Sequence, residues 1–123
     1  MKKIAVVEDN PDNRLLVQAL LEDHYEVLEY ETGREAVERL PRDHPDLILL
    51  DISLPEMDGT EVLAWVRGQE ELKETPVVAL TAHAMAGDRE KYLGLGFDAY
   101  LTKPIVDDSL LLEAISQCLS GTS

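Results

Sequence analysis

The sequence predicts an α/β fold in which a five-stranded parallel sheet is covered by helices on both faces. Short apolar runs alternate five times along the 123 residues with longer stretches whose apolar residues recur at helical spacing. The runs consist mainly of Val, Leu, Ile and Ala, as is typical of strands buried on both faces. We therefore expect strands near residues 3–7, 27–30, 47–50, 77–80 and 99–101, and five helices.

The first two helices are predicted from start and stop signals. Asn10 and Pro11 mark the beginning of the first helix, because proline suits an opening turn. Its apolar residues at helical spacing are Leu15, Leu16, Ala19 and Leu20. The second helix is expected over residues 33–40, ended by Pro41, because proline disrupts a helix interior.

The third and last helices are predicted from apolar stripes. Val62, Leu63 and Val66 define the inner face of the third helix, and Trp65 falls beside that stripe as a partly exposed packing residue. The last helix is expected over residues 107–119, after Pro104. Its predicted inward residues are Leu111, Leu112, Ile115 and Leu119.

Length, charge and cysteine content restrict the classes of function. A chain of 123 residues is the usual size of one domain, so we expect a single domain over residues 1–123 with no output domain. A formal net charge of −14 disfavours binding to nucleic acid phosphates and to anionic membrane surfaces. One cysteine excludes an internal disulfide, and no signal peptide or membrane span is recognisable. A cytoplasmic location is therefore expected.

Acidic residues follow two of the predicted strands. Residues 47–50 form an apolar run that leads directly into Asp51. The first strand leads in the same way into Glu8 and Asp9. The carboxyl ends of parallel strands share one edge of the sheet, where ligands bind in open α/β folds. If the first and third strands are neighbours, these acids converge there. Their mutual repulsion favours a bound divalent cation.

All-oxygen ligands suit a hard ion, and we predict a magnesium site. Asp9 and Asp51 are the expected direct ligands, and the backbone carbonyl of Ser53 is the expected third ligand. Glu8 is expected to act through a bound water.

A hydroxyl and an ammonium follow the fourth and fifth strands. Thr81 comes after residues 77–80, and Lys103 comes shortly after residues 99–101. Together with Asp51 and magnesium they indicate phosphoryl chemistry. A carboxylate attacks phosphorus, while cations and a donor stabilise charge on the phosphoryl oxygens.

These motifs, taken together, resemble the receiver domain of two-component response regulators, and the resemblance covers essentially the whole chain. The motifs that carry it are residues 7–11 (VEDNP), 46–51 (DLILLD), 54–59 (LPEMDG), 80–82 (LTA) and 100–104 (YLTKP). The resemblance implies a flavodoxin-like fold with strand order 2-1-3-4-5. This chain differs from many members of the family at one of these positions, because it has Glu8 where they have aspartate.

The resemblance also implies roles and partners. Asp51 accepts a phosphoryl group from a phosphohistidine on a sensor histidine kinase or a histidine phosphotransfer protein. Thr81 is the switch hydroxyl, Lys103 the charge partner of the phosphate, and Tyr100 the switch aromatic. A stand-alone regulator of this kind is a signalling protein, not an enzyme, and assists its own phosphorylation and dephosphorylation. It relays the phosphate or contacts a downstream protein through the fourth helix, fifth strand and fifth helix, a face that also allows dimerisation on phosphorylation.

Two other functions agree less well with the sequence. An aspartate-nucleophile phosphatase of the haloacid dehalogenase type has a second acid two residues after the nucleophile, where this chain has Ser53. A flavodoxin has a hydroxyl- and glycine-rich phosphate loop after the first strand, where Glu8 and Asp9 repel a phosphate. His83 follows Thr81 by two residues, and its position makes it a candidate to influence dephosphorylation.

Overall fold

The computed structural model describes residues 1–82, 85–103 and 108–120, apart from the side chain of Asp108. Strands and helices alternate along the chain. The strands are β1 (Lys3–Val7), β2 (Glu26–Tyr30), β3 (Leu47–Asp51), β4 (Val77–Thr81) and β5 (Ala99–Thr102). The helices are α1 (Pro11–Leu21), α2 (Gly33–Asp43), α3 (Gly59–Arg67), α4 (Asp88–Leu95) and α5 (Asp108–Ser120). Predictions for His83, Pro104 and Asp107 fall outside the described residues.

The sheet is parallel throughout and has the order β2-β1-β3-β4-β5, which confirms the predicted fold. β1 and β3 are therefore neighbours, as the predicted acidic cluster requires. β3, β4 and β5 each extend one residue beyond their predicted carboxyl ends and take in Asp51, Thr81 and Thr102. The register pairs Asp51 with Leu80, and Thr81 with Thr102, so these residues lie along one edge.

Two apolar clusters lie on opposite faces of the sheet. β3 and β4 are buried along their whole length, and strand side chains alternate between the clusters because successive residues point to opposite faces. α2 and α3 cover one face, and α1 and α5 cover the other. The predicted inner residues of α3 are buried, and those of α5 are buried or packed against the core. None of the helices in the described ranges is long and apolar enough to span a bilayer.

The apolar stripe that predicted α1 is only partly buried: Leu20 packs against the core, but Leu15 and Leu16 do not. Val17 and Leu21 are its buried residues, whereas the side chain of Leu15 is 65% exposed and Leu16 is also exposed. Asn13 and Arg14 lie on the same face as Val17 and Leu21, since residues four and seven apart share a side of a helix. The rotation of α1 about its axis is thus set by polar contacts at its first turn as well as by the apolar residues.

α2 does not end before Pro41, as the sequence predicted, but continues to Asp43. Pro41 lies only two residues from the end, so the missing backbone donor weakens one turn and not the whole helix. Asp43 holds that turn, because it accepts a 2.6 Å hydrogen bond from the Tyr30 hydroxyl and pairs with Arg39. His44 then ends the helix in the left-handed conformation, with φ 49°.

Gly59 allows α3 to begin directly against the end of β3. A Cβ atom at this position would lie 2.6 Å from the Asp51 carbonyl oxygen and 2.7 Å from the Ile52 Cα. Both neighbours are backbone atoms, so neither can yield without moving the strand end.

We expect Gly59→Ala to lower the free energy of unfolding by about 2–3 kcal/mol, because overpacking forces the backbone to shift. Urea denaturation measures the change. Gly94→Ala in α4 is the matched control: apart from its chain neighbours and the backbone of its own helix, no heavy atom of the described residues lies within 4 Å of the added Cβ. That control is expected to stabilise the protein by up to about 1 kcal/mol. Equal effects of the two substitutions would contradict the steric explanation.

Candidate functional site

Asp51 is the last residue of β3, and its side chain is only 2% exposed. Its Oδ1 accepts a 2.9 Å hydrogen bond from the backbone N–H of Ser53, and its Oδ2 accepts one of 3.1 Å from Lys103 Nζ. A buried carboxylate is costly unless it is paired. Both oxygens of Asp51 are held in a defined orientation, as a reacting group requires.

Lys103 follows β5, and its backbone N–H donates to the Thr81 carbonyl oxygen at 2.7 Å. This contact fixes the chain just beyond the strand and turns the side chain towards the acids. Lys103 Nζ lies 2.8 Å from Glu8 Oε1 and 3.2 Å from Glu8 Oε2. A single ammonium therefore bridges two carboxylates from different parts of the sheet: Glu8 directly follows β1, and Asp51 is the last residue of β3.

Glu8, Asp9 and Asp51 form the acidic cluster that the sequence predicted. One carboxylate oxygen from each lies within 4.8 Å of the others, with Glu8 and Asp51 buried and Asp9 exposed. Glu8 and Asp51 contact the ammonium of Lys103, and Asp9 adds a third carboxylate beside them, so acids outnumber cations among the described residues of the cluster. Closely spaced oxygen donors with one solvent-facing member fit a hard divalent cation such as magnesium, which retains several waters.

The two buried acids have opposite pKa shifts. Burial is the main cause that raises the pKa of Glu8 from 4.5 to about 7, and its hydrogen bond with Asp51 raises it further. Burial also acts to raise the pKa of Asp51, but hydrogen bonds with Glu8 and Ser53, together with Lys103, lower it overall. At neutral pH Asp51 is ionised, whereas Glu8 holds its proton part of the time.

The raised pKa of Glu8 predicts the pH dependence of stability. Between about pH 4.5 and 7 the folded protein binds more protons at Glu8 than the unfolded chain does. Stability in chelator is therefore expected to fall as pH rises through this range. Glu8→Gln is expected to flatten the profile and to stabilise the metal-free protein at pH 8 by on the order of 2 kcal/mol. Urea denaturation across pH in EDTA measures both, and a profile unchanged by the substitution would contradict the assignment.

Thr81 and Tyr100 lie on adjacent strands beside the site. Thr81 is the buried last residue of β4. The Tyr100 ring stacks on the Tyr92 ring with centroids 5.9 Å apart and contacts the core on the α2–α3 side of the sheet. Its hydroxyl oxygen is buried and has no hydrogen-bond partner among the described residues. Such a group normally costs about 1–3 kcal/mol.

Sequence reasoning missed two residues of the site. Asn13 Nδ2 donates to Glu8 Oε1 at 2.8 Å, and Arg14 donates to the Glu8 carbonyl oxygen at 2.8 Å. Both lie in the first turn of α1, and no pattern distinguishes them from ordinary polar residues of an exposed helix. Their only available signal was their spacing from Glu8, which brings a first-turn side chain back towards the strand end.

Comparison with known proteins establishes the class. The family model described as the response regulator receiver domain matches residues 4–116. The chain belongs to this family, whose members act in two-component signalling. The match gives no support to a haloacid dehalogenase or a flavodoxin.

Individual relatives agree with this assignment. The polar-differentiation response regulator DivK of Brucella ovis is 46% identical over 105 residues, or 85% of each chain. The chemotaxis protein CheY4 of Vibrio cholerae has a TM-score of 0.88 at 31% identity, covering 97% of this chain and 99% of that one. The receiver domain of the sensor histidine kinase PA1611 from Pseudomonas aeruginosa, solved with magnesium coordinated in its active-site cleft, has a TM-score of 0.88 at 36% identity over 98% of both chains.

Proposed function

We propose that Asp51 accepts a phosphoryl group from a phosphohistidine and that the resulting aspartyl phosphate is the signal. The observation that carries this proposal is the buried, ionised carboxylate of Asp51, held by Lys103 at 3.1 Å beside two further acids. A carboxylate oxygen of Asp51 attacks phosphorus as an O–P bond forms and the N–P bond breaks. The histidine nitrogen keeps the electron pair of the broken bond and takes up a proton.

Magnesium is the proposed cofactor, and the acidic cluster fits it. Asp9 and Asp51 would bind it directly, the Ser53 carbonyl would be a third ligand, and Glu8 would contact it through water. When bound, magnesium neutralises charge on the phosphoryl oxygens. The magnesium ion in the related PA1611 receiver domain supports the same role here.

Lys103 and Thr81 are proposed to bind the transferred phosphoryl group. Lys103 supplies positive charge to an equatorial oxygen, and the Thr81 hydroxyl donates a hydrogen bond to another. Lys103 already contacts the nucleophile, so a short movement of its ammonium from Glu8 suffices.

Tyr100 is proposed to be the aromatic member of the switch. Its buried hydroxyl lacks a hydrogen-bond partner in the described part of the chain, so a side-chain position that provides a partner would recover the cost of leaving it unpaired. Movement of this ring would also break its stacking on Tyr92 in α4. We propose that a movement of Thr81 on phosphorylation is followed by a movement of the Tyr100 ring. The movement of this ring would alter the surface formed by α4, β5 and α5.

That surface is the proposed contact with a downstream protein. Its described residues form a groove of about 750 Å³ that is lined by apolar side chains, Arg89 and the acids Glu74, Asp98 and Glu113. Asp98 is paired with Arg67 at 2.9 Å, which leaves two of these acids facing Arg89. α5 has no basic residue. Across this face, carboxylates of a second copy would meet one another, so charge favours a basic partner over a dimer of this chain.

We further propose that the chain acts as a stand-alone regulator. The matched part of DivK makes up 85% of that protein, which supports a function without an attached output domain. Histidine kinases use cytoplasmic ATP, so the proposed function implies a cytoplasmic location.

Phosphotransfer from candidate histidine kinases of the source organism tests the proposal. Each ³²P-labelled kinase is mixed with the protein in magnesium or in EDTA, and the labelled residue is mapped by mass spectrometry. We expect label on Asp51 within seconds to minutes in magnesium and almost none in EDTA. Label on another residue, or no label from donors that phosphorylate a control receiver, would refute it.

A further inference from the structure

Glu8 is an unusual choice for a buried acid beside a metal site. Its side chain is 1% exposed and has one more rotatable bond than aspartate. More of its conformations point the carboxylate away from Asp9 and Asp51, so holding it in place has a larger entropic cost. Contacts beyond the acidic cluster must therefore orient it.

Two α1 residues contact opposite ends of Glu8. Asn13 donates from its side-chain amide to Oε1 at 2.8 Å. Arg14 donates to the main-chain carbonyl at 2.8 Å and also pairs with Glu29 at 3.5 Å and Glu31 at 3.3 Å. Arg14 is thereby anchored to β2 and to the residue that follows it.

The same contacts determine how α1 lies on the sheet. Asn13 and Arg14 share the inward face of the helix with Val17 and Leu21, while Leu15 and Leu16 are left exposed. Val17, Leu20 and Leu21 form the apolar face that packs on the sheet, and Asn13 and Arg14 continue that face at its first turn. The helix therefore exposes apolar surface in the orientation that brings its first turn to Glu8.

We propose that Asn13 and Arg14 are positioning residues of the phosphorylation site, which hold Glu8 by its carboxylate and its carbonyl so that it supports the bound magnesium ion. The inference rests on the proposed function. Neither residue contacts the reacting atoms. Each acts through Glu8, as outer-shell residues act through the ligands of other metal sites.

Asn13 matters most when Lys103 moves. In the structure Oε1 of Glu8 receives hydrogen bonds from both Asn13 and Lys103. Once Lys103 turns to the phosphoryl group, Asn13 is the remaining side-chain donor to this carboxylate among the described residues. It would then hold the carboxylate of Glu8 beside Asp9 and Asp51, where a bound magnesium ion would lie.

Magnesium titration of purified full-length variants by calorimetry tests the proposal. Asn13→Ala is expected to weaken magnesium binding roughly tenfold, and Asn13→Gln, which retains the amide, to recover part of that loss. Alanine is a strong helix former, so α1 is expected to remain folded. Val17→Ala is the matched control, since it removes a core contact on the same helix face without touching Glu8.

The control is expected to lower the melting temperature at least as much as Asn13→Ala, yet to leave the magnesium dissociation constant within about twofold of wild type. Equal magnesium affinity of Asn13→Ala and wild type would overturn the inference while leaving the proposed function intact. Equal weakening by Val17→Ala would also overturn it, because the effect would then follow helix stability. Absence of magnesium binding in wild type would overturn both proposals.

Discussion

Asp51→Asn is expected to abolish phosphoryl acceptance, with a rate loss of at least about 1000-fold. Asparagine has nearly the same shape as aspartate and still accepts a hydrogen bond from the Ser53 N–H. Its amide is a very poor nucleophile, however, and it removes one of the charges that attract magnesium. Neither neighbouring acid replaces it: Glu8 is held by Lys103 and Asn13, and Asp9 belongs to a different strand end.

The matched control is Asp58→Asn. Asp58 lies seven residues further along and caps α3, accepting a hydrogen bond from the Glu61 N–H. Asparagine is an equally good capping residue, so this variant keeps its fold. Initial rates of ³²P transfer from the same kinase should be those of wild type for Asp58→Asn. Label that persists in Asp51→Asn at more than a few per cent would mean that another residue is the acceptor.

The convergence of the site could be predicted because topology alone determines it. Asp51, Thr81 and Lys103 each follow an apolar run, and parallel strands bring their carboxyl ends to one edge. The prediction needed no side-chain detail, but it did need the strand order 2-1-3-4-5, which came from the resemblance to receiver domains. Even the direct Lys103–Asp51 contact, across 52 residues of sequence, follows from β3, β4 and β5 being neighbours.

Features that depend on competition between contacts were not predictable. Leu15 and Leu16 match a helical apolar stripe, but polar contacts of Asn13 and Arg14 rotate α1 away from it. Pro41 is a stop signal, yet the hydrogen bond between Tyr30 and Asp43 holds the helix beyond it. In each case the local pattern favours one arrangement, and a tertiary contact that the sequence does not reveal accompanies another.

Lys103→Met is expected to have the largest effect on stability. Methionine fills similar space without charge, so Glu8 and Asp51 would face each other with no cation between them. Loss of one partner from a buried ion pair costs about 3–5 kcal/mol, and we expect about 3 kcal/mol at pH 8 in EDTA. The cost should shrink at pH 5.5, because Glu8, whose pKa is already raised to about 7, takes up a proton.

Urea denaturation of wild type and variant at both pH values measures this effect. Lys73→Met is the matched control, since Lys73 Nζ pairs at 3.1 Å with the exposed Glu70. Exposed pairs contribute little, so the control should change stability by less than about 0.5 kcal/mol. Saturating magnesium should restore much of the stability of Lys103→Met, because the ion replaces the missing positive charge, yet phosphorylation should stay at least about tenfold slower. A loss of stability that is independent of pH and unaffected by magnesium would show that Lys103 acts through packing and not through its charge.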